Sequence, residues 1–148
     1  MNSPASTLDR DTRTVAEAWF DATTHGRVQE AVALMSEDVE FINYVPVPGY
    51  NTDMPWIGTA HGPAEVLESF GVFVGTCEVR EERLVALAVD GEQAMGVIRE
   101  RSAARATGLE FEIEFVQWLT VRDGRIVRWK SYTDPSPIVR AIRGGEGS

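Results

Sequence analysis

From residue 78 to residue 132 apolar side chains recur at every second position, and turns are written between the runs as Asp90-Gly91, Thr107-Gly108 and Asp123-Gly124. Period two belongs to a strand with one face buried, and Asp-Gly is a dipeptide that closes the tightest hairpins. The spacing predicts strands over Glu78–Val89, Gln93–Ala103, Leu109–Val121 and Arg125–Tyr132, joined as an antiparallel meander. Phe111, Ile113, Phe115, Gln117, Leu119 and Val121 share the face that must be covered, while Glu110, Glu112 and Glu114 form a solvated stripe on the other.

The cover comes from the first half of the chain. Val15, Trp19 and Thr23, flanked by Ala16 and Phe20, recur at helical spacing after the cap-rich residues Thr7, Asp9, Asp11 and Thr12, and this helix should end near Gly26. A short helix is predicted over Val28–Met35 and a strand over Val39–Tyr44. Val45-Pro46-Val47-Pro48-Gly49 then forces an extended loop running to about Gly58, because proline has no N–H to give to a ladder. Gly62-Pro63 opens a third helix with Val66, Phe70 and Phe73 on one face. Asp134-Pro135-Ser136-Pro137 stops the last strand ahead of a short helix, and residues 1–8 and 144–148 are expected to be loose. The order predicts an α+β fold: a curved antiparallel sheet around about three helices, one domain over 1–148, and one apolar pocket.

The chain has 148 residues, 43% of them hydrophobic, and a formal net charge of −9 with scattered basic residues. That field repels phosphate backbones and anionic lipid, so neither nucleic acid nor a membrane is an expected partner. No apolar run approaches the roughly 18 residues of a membrane span, and the first ten residues hold no hydrophobic signal, which together predict a cytoplasmic location. Cys77 is the only cysteine and reads as a small buried hydrophobe. There is no Gly-rich phosphate loop, no Gly-x-Ser-x-Gly elbow and no His-Glu-x-x-His metal helix. His25 reads as an exposed helix-ending residue, and His61 follows the loop that could bring it to a pocket mouth.

Three helices, a proline-bearing loop and a meander ending in Val121-Arg122-Asp123-Gly124-Arg125-Ile126-Val127-Arg128-Trp129 resemble the SnoaL-like branch of the nuclear transport factor two-like superfamily. The resemblance implies a cone with a deep pocket and relatives that include ketosteroid isomerases, limonene epoxide hydrolases and polyketide cyclases. Met35-Ser36-Glu37-Asp38-Val39-Glu40-Phe41-Ile42-Asn43 looks like the segment that ends on the isomerases' catalytic aspartate, so Asn43 replaces the base. Trp19 stands where they place an oxyanion-binding tyrosine, and Gln117 near their protonated aspartate. Asn43 also matches an asparagine of the epoxide hydrolases, and Glu100-Arg101 looks like their arginine-bearing strand. Ala103 and Ser131 replace their two carboxylates, and Phe41 replaces a water-holding tyrosine.

The expected activity is therefore that of a small-molecule enzyme without cofactor or metal, a polyketide-type cyclase closing a ring on an apolar chain, by a [4+2] or related closure, through positioning rather than a strong base. Asn43, Arg101, Gln117 and Ser131 would supply its polar contacts, and Trp19, Phe41, Tyr44, Phe70, Phe115 and Leu119 would hold the substrate. The alternatives are an epoxide hydrolase, isomerase or dehydratase using a carboxylate such as Asp53, Asp134 or Glu40, and a non-catalytic hydrophobic-ligand-binding protein, in each case a monomer or homodimer. Residues 52–57 would be a mobile lid with few apolar anchors.

Overall fold

A computed structural model describes residues 4–145. Helix α1 (Pro4–Thr24) and the short α2 (Val28–Val32) lead into strand β1 (Met35–Asn43). A loop then reaches β2 (Gly58–His61) and α3 (Gly62–Thr76), and β3 (Cys77–Asp90), β4 (Gln93–Ala104), β5 (Glu110–Arg122) and β6 (Arg125–Tyr132) form the meander. Helix α4 (Ser136–Arg143) closes the described chain. Residues 1–3 and 146–148 of the expected loose ends lie outside the described residues, and helix already begins at Pro4.

The six strands form one curved, open sheet in the order β2-β1-β6-β5-β4-β3. The meander pairs antiparallel as its turns require, but β1 lies parallel to β6, with Phe41 beside Trp129 and Asn43 beside Ser131. That pairing joins residues 88 apart, so no local pattern announces it. β2 falls between the loop expected to end at about Gly58 and the helix opened by Gly62-Pro63, and its backbone pairs with β1 from Glu40–His61 to Asn43–Gly58. β1 also begins at Met35, where a helix was expected to end, because Leu34 and Met35 already meet Ile126 of β6.

The face predicted to be covered is covered: Phe111, Ile113, Phe115, Gln117, Leu119 and Val121 are all buried. Helix α1 lies across it, and residues expected to cap the helix instead fasten it to the β3–β4 turn. Gly91 N–H donates to Asp9 Oδ1 at 2.6 Å, and Thr12 Oγ1 donates to Gly91 O at 2.6 Å. The Phe20 ring sits directly on Gly96 of β4, where a Cβ would stand 2.2 Å from Cζ. No helix among the described residues is long and apolar enough to cross a membrane.

This close approach predicts the effect of one methyl group. Gly96→Ala must displace a ring that is 1% exposed, and overpacking of this kind costs about 1–3 kcal/mol. Denaturant unfolding should show a lower midpoint with an unchanged slope.

Candidate functional site

The concave face of the sheet, α3 and the end of α1 enclose a cavity of about 480 Å³. Its apolar wall contains Phe41, Trp56, Phe70, Phe73, Phe115 and Trp129. Phe41 stacks on Trp129 with centroids 3.9 Å apart at 8°, Phe70 meets Phe41 edge-on at 5.8 Å, and Trp56 meets Phe73 edge-on at 5.0 Å. These offsets and edges fix ring positions as well as burying area.

Behind this wall two indoles hold one amide. Trp19 Nε1 donates to Gln117 Oε1 at 2.7 Å and Trp129 Nε1 donates to the same oxygen at 3.0 Å. An indole can only donate, so the oxygen must face both rings and the amide orientation is settled. Gln117 is 7% exposed and lines the cavity, and its NH₂ group is the part left to meet a ligand. Beside it, Asn43 and Ser131 lie opposite one another across β1 and β6, and Tyr44, which follows Asn43, also lines the cavity. Tyr44 sits at φ 59° where β1 ends, in the left-handed region that turns its side chain into the cavity wall. Burial pushes its hydroxyl well above the ordinary tyrosine range, so it is held as a hydrogen-bond donor.

At the other end of the cavity stand two carboxyl groups that the sequence reading did not single out. Glu82 of β3 and Glu100 of β4 are direct cross-strand partners, both line the cavity, and their carboxyl groups hydrogen-bond to each other. Ser102 Oγ donates to Glu100 Oε2 at 2.8 Å. Burial raises the pKa of Glu82 well above the ordinary range, and the charge of Glu100 adds to the rise. Glu100 is raised by burial too, but its hydrogen bonds from Glu82 and Ser102 pull the other way. Both carboxyls are thus held toward the protonated form, Glu82 the more strongly.

A β-bulge creates this pair. Val79 faces Ser102 and Glu81 faces Arg101, so Arg80 is the extra residue and the phase of β3 shifts by one. Strict alternation from the buried Cys77 would have turned Glu81 inward and Glu82 outward. The visible signal lay on β4, where Ala94, Gly96, Ile98, Glu100 and Ser102 follow one inward face.

That same alternation corrects the placing of Arg101. It lies on the outer face, where its Nη1 donates to Glu110 Oε1 at 3.1 Å, and it does not line the cavity. Arg101 and Arg80 together hold Glu110 below the ordinary carboxylate range. Asn43, Gln117 and Ser131 do come together at the cavity, as do Phe41, Tyr44, Phe70 and Phe115. Trp19 lies behind the lining on Gln117 and Phe70, and Leu119, fully buried, packs in the core away from the cavity.

The three carboxylates considered from sequence are engaged elsewhere. Asp53 is ion-paired with Arg143, Glu40 with Arg128, and Asp134 accepts from the Ser136 backbone and hydroxyl, which lower its pKa. The 52–57 segment also has the anchors it was expected to lack. Met54 and Trp56 are buried, Ser69 Oγ donates to Trp56 O at 3.0 Å, and Arg143 of α4 reaches Asp53 and Gly49 O. Cys77 is fully buried, and burial, then the Glu100 charge, pushes its thiol up to about 12, so it is no nucleophile. His25 is exposed at the cavity rim with its Nδ1 2.7 Å from Asp21 O, whereas His61 is exposed at the start of α3 and away from the lining.

A family model described as a SnoaL-like domain matches residues 16–129. The fold is similar to that of an NTF2-like protein from Burkholderia xenovorans, at 21% identity over 90% of this chain and 97% of that one, with a TM-score of 0.74. It is also similar to a candidate SnoaL-like polyketide cyclase from Mesorhizobium loti, at 17% identity over 82% and 97% of the two chains, with a TM-score of 0.68. A third similar structure is a protein with a ketosteroid isomerase-like fold from Catenulispora acidiphila, in complex with trimethylamine, at 13% identity over 87% and 92%, with a TM-score of 0.70. No curated protein matches the chain.

The raised carboxyl groups give stability a definite dependence on pH. In the folded state Glu82 binds its proton more tightly than in the unfolded chain, so the native state gains protons relative to the unfolded one above the ordinary value of 4.5. Stability from this group is complete below that value and is lost as pH rises through the folded pKa. Glu82→Gln should therefore flatten the loss of urea-unfolding free energy between about pH 5 and pH 8 and make the protein more stable at the upper end.

Proposed function

The chain belongs to the SnoaL-like family, and from that premise we propose that it is an enzyme that transfers protons on a small, largely apolar, carbonyl-bearing substrate, with the Glu82–Glu100 pair as acid and base. The observation that carries the reading is a pair of carboxyl groups, Glu82 and Glu100, that face each other across β3 and β4 and both line the cavity. When ionised, Glu100 can accept a proton from substrate carbon while neutral Glu82 can give one, and such positioned transfer is worth about 10²–10⁴-fold. Perturbed carboxyl groups of this kind concentrate where chemistry is done. At the far end of the cavity the Gln117 NH₂ group, with Asn43 and the Tyr44 and Ser131 hydroxyls, can anchor a second, remote oxygen of the substrate.

Ring closure of a polyketide-type chain remains the overall reaction this site supports best, because the aromatic wall can fold an apolar chain while the pair moves the proton that an aldol-type closure requires. The part of the earlier expectation that falls is catalysis by positioning alone, which rested on a cavity without carboxylates.

Proton transfer can be tested without the natural substrate by following deuterium uptake from heavy water into small apolar ketones such as 2-tetralone by NMR. Wild-type protein should accelerate exchange, and Glu82→Gln and Glu100→Gln should each lower the rate by about 10²–10⁴-fold with the fold intact by circular dichroism. Arg101→Ala, altered on the outer face, should exchange close to wild type. Exchange by both glutamine variants at the wild-type rate would overturn the reading.

A further inference from the structure

The charges around the cavity do not balance. Its lining contains four glutamates, Glu78, Glu81, Glu82 and Glu100, against two arginines, Arg80 and Arg105. Both guanidinium groups are already taken: Arg80 bonds Glu78 and Glu110, and Arg105 bonds Val74 O and pairs with Glu78. They stand exposed at the mouth, whereas Glu100 is 4% exposed and has only Ser102 and the Glu82 carboxyl for partners among the described residues. The inner cavity thus holds two carboxyl groups with no protein cation against them among the described residues. Charge buried in low dielectric is stabilised strongly by an opposite charge and repels a like one with the same force.

Two further features specify what enters. The wall beside the pair is aromatic, and ring faces attract cations, most strongly where water is excluded. At the same time the buried Gln117 amide faces the cavity with an NH₂ group that bonds no described side chain, its oxygen being fully used by Trp19 and Trp129. A ligand that satisfies the whole site has an apolar body, an oxygen acceptor for Gln117 and a positive centre for the carboxyl pair. A carboxylate or phosphate ester meets repulsion instead.

We infer that the cavity selects an organic cation, a protonated amine on an apolar body that also bears a carbonyl or hydroxyl oxygen, with the ammonium seated on Glu82 and Glu100. This rests on the reading of the cavity as the working site and names the charge class of a ligand for it; while an ammonium occupies the pair, the two carboxyls hold it rather than transfer protons. An ammonium donates to both carboxyl groups, and the ring of Phe115, two residues along β5 from the Ile113 that pairs with Glu100, can cover its remaining side.

The test is a matched probe series differing only in charge: 4-phenylbutylamine, 4-phenylbutan-1-ol and 4-phenylbutanoate. Binding is read by quenching of the lining tryptophans Trp56 and Trp129 and by calorimetry, at about pH 7 and about 0.15 M salt so that remote charges are screened. The amine should bind at least about tenfold more tightly than the alcohol, and the carboxylate more weakly than either. In the double variant Glu82→Gln with Glu100→Gln, which removes both carboxyl groups and is expected to fold at least as well, amine and alcohol should bind alike. Equal or weaker binding of the amine by wild type, a preference that survives in the double variant, or failure of all three probes to bind would each overturn the inference. None of these outcomes bears on proton transfer, because deuterium exchange by the single glutamine variants reads a rate and the probe series reads affinity.

Discussion

Two indole N–H groups converge on one carbonyl oxygen, and most of the cavity is positioned by that contact. Trp19 belongs to α1, Trp129 to β6 and Gln117 to β5, so three elements meet at a single atom. All three residues are buried, and an indole left without its acceptor there would cost about 1–3 kcal/mol. The bonds therefore define how far α1 can slide over the sheet. They also set the plane of Trp129, on which Phe41 stacks, and Phe41 in turn seats Phe70 of α3. A change at Gln117 would move the cavity wall as well as remove one polar group, because helix, sheet and rings share the same restraint.

The opposite end of the cavity obeys a different logic. Like charges directly across two strands are unfavourable, and burial makes them more so. Glu82 and Glu100 coexist because one keeps its proton and because Ser102 donates to the other. The arrangement spends folding stability, as functional sites commonly do. It also depends on the bulge at Arg80, which turns Arg80 itself outward to its ion pairs with Glu78 and Glu110 and brings Glu82 around to the cavity.

Family membership frames this site without determining its chemistry, since one fold hosts many reactions and the solved relatives share little sequence with this chain. The residues of this cavity are a combination of their own: an amide where a base was looked for at Asn43, an amide fixed by two indoles at Gln117, and a carboxyl pair on the β3–β4 ladder. On the outer face, arginines and glutamates alternate in ion pairs between neighbouring strands, as with Arg99 and Glu114, and such exposed pairs add little stability. Arg101 belongs to that ladder, which is the physical reason a charge expected inside is found outside.

The sequence by itself determined the meander, its hairpin turns, the covered face of β5 and the helix opened by Gly62-Pro63, because each follows from local periodicity and backbone chemistry within a few residues. Asn43, Gln117 and Ser131 were grouped by the resemblance to the family rather than by periodicity, since β1–β6 and β5–β6 each carry a register shift, and all three line the cavity. Only the tertiary structure decided that β1 runs parallel to β6, that Met54, Trp56 and Arg143 tie down the 52–57 segment, and that Glu82 rather than Glu81 faces Glu100. Those outcomes rest on contacts between residues far apart in the chain and on one inserted bulge residue. In a structure of period two, a single extra residue exchanges inside for outside, and no local pattern of apolar residues records where it falls.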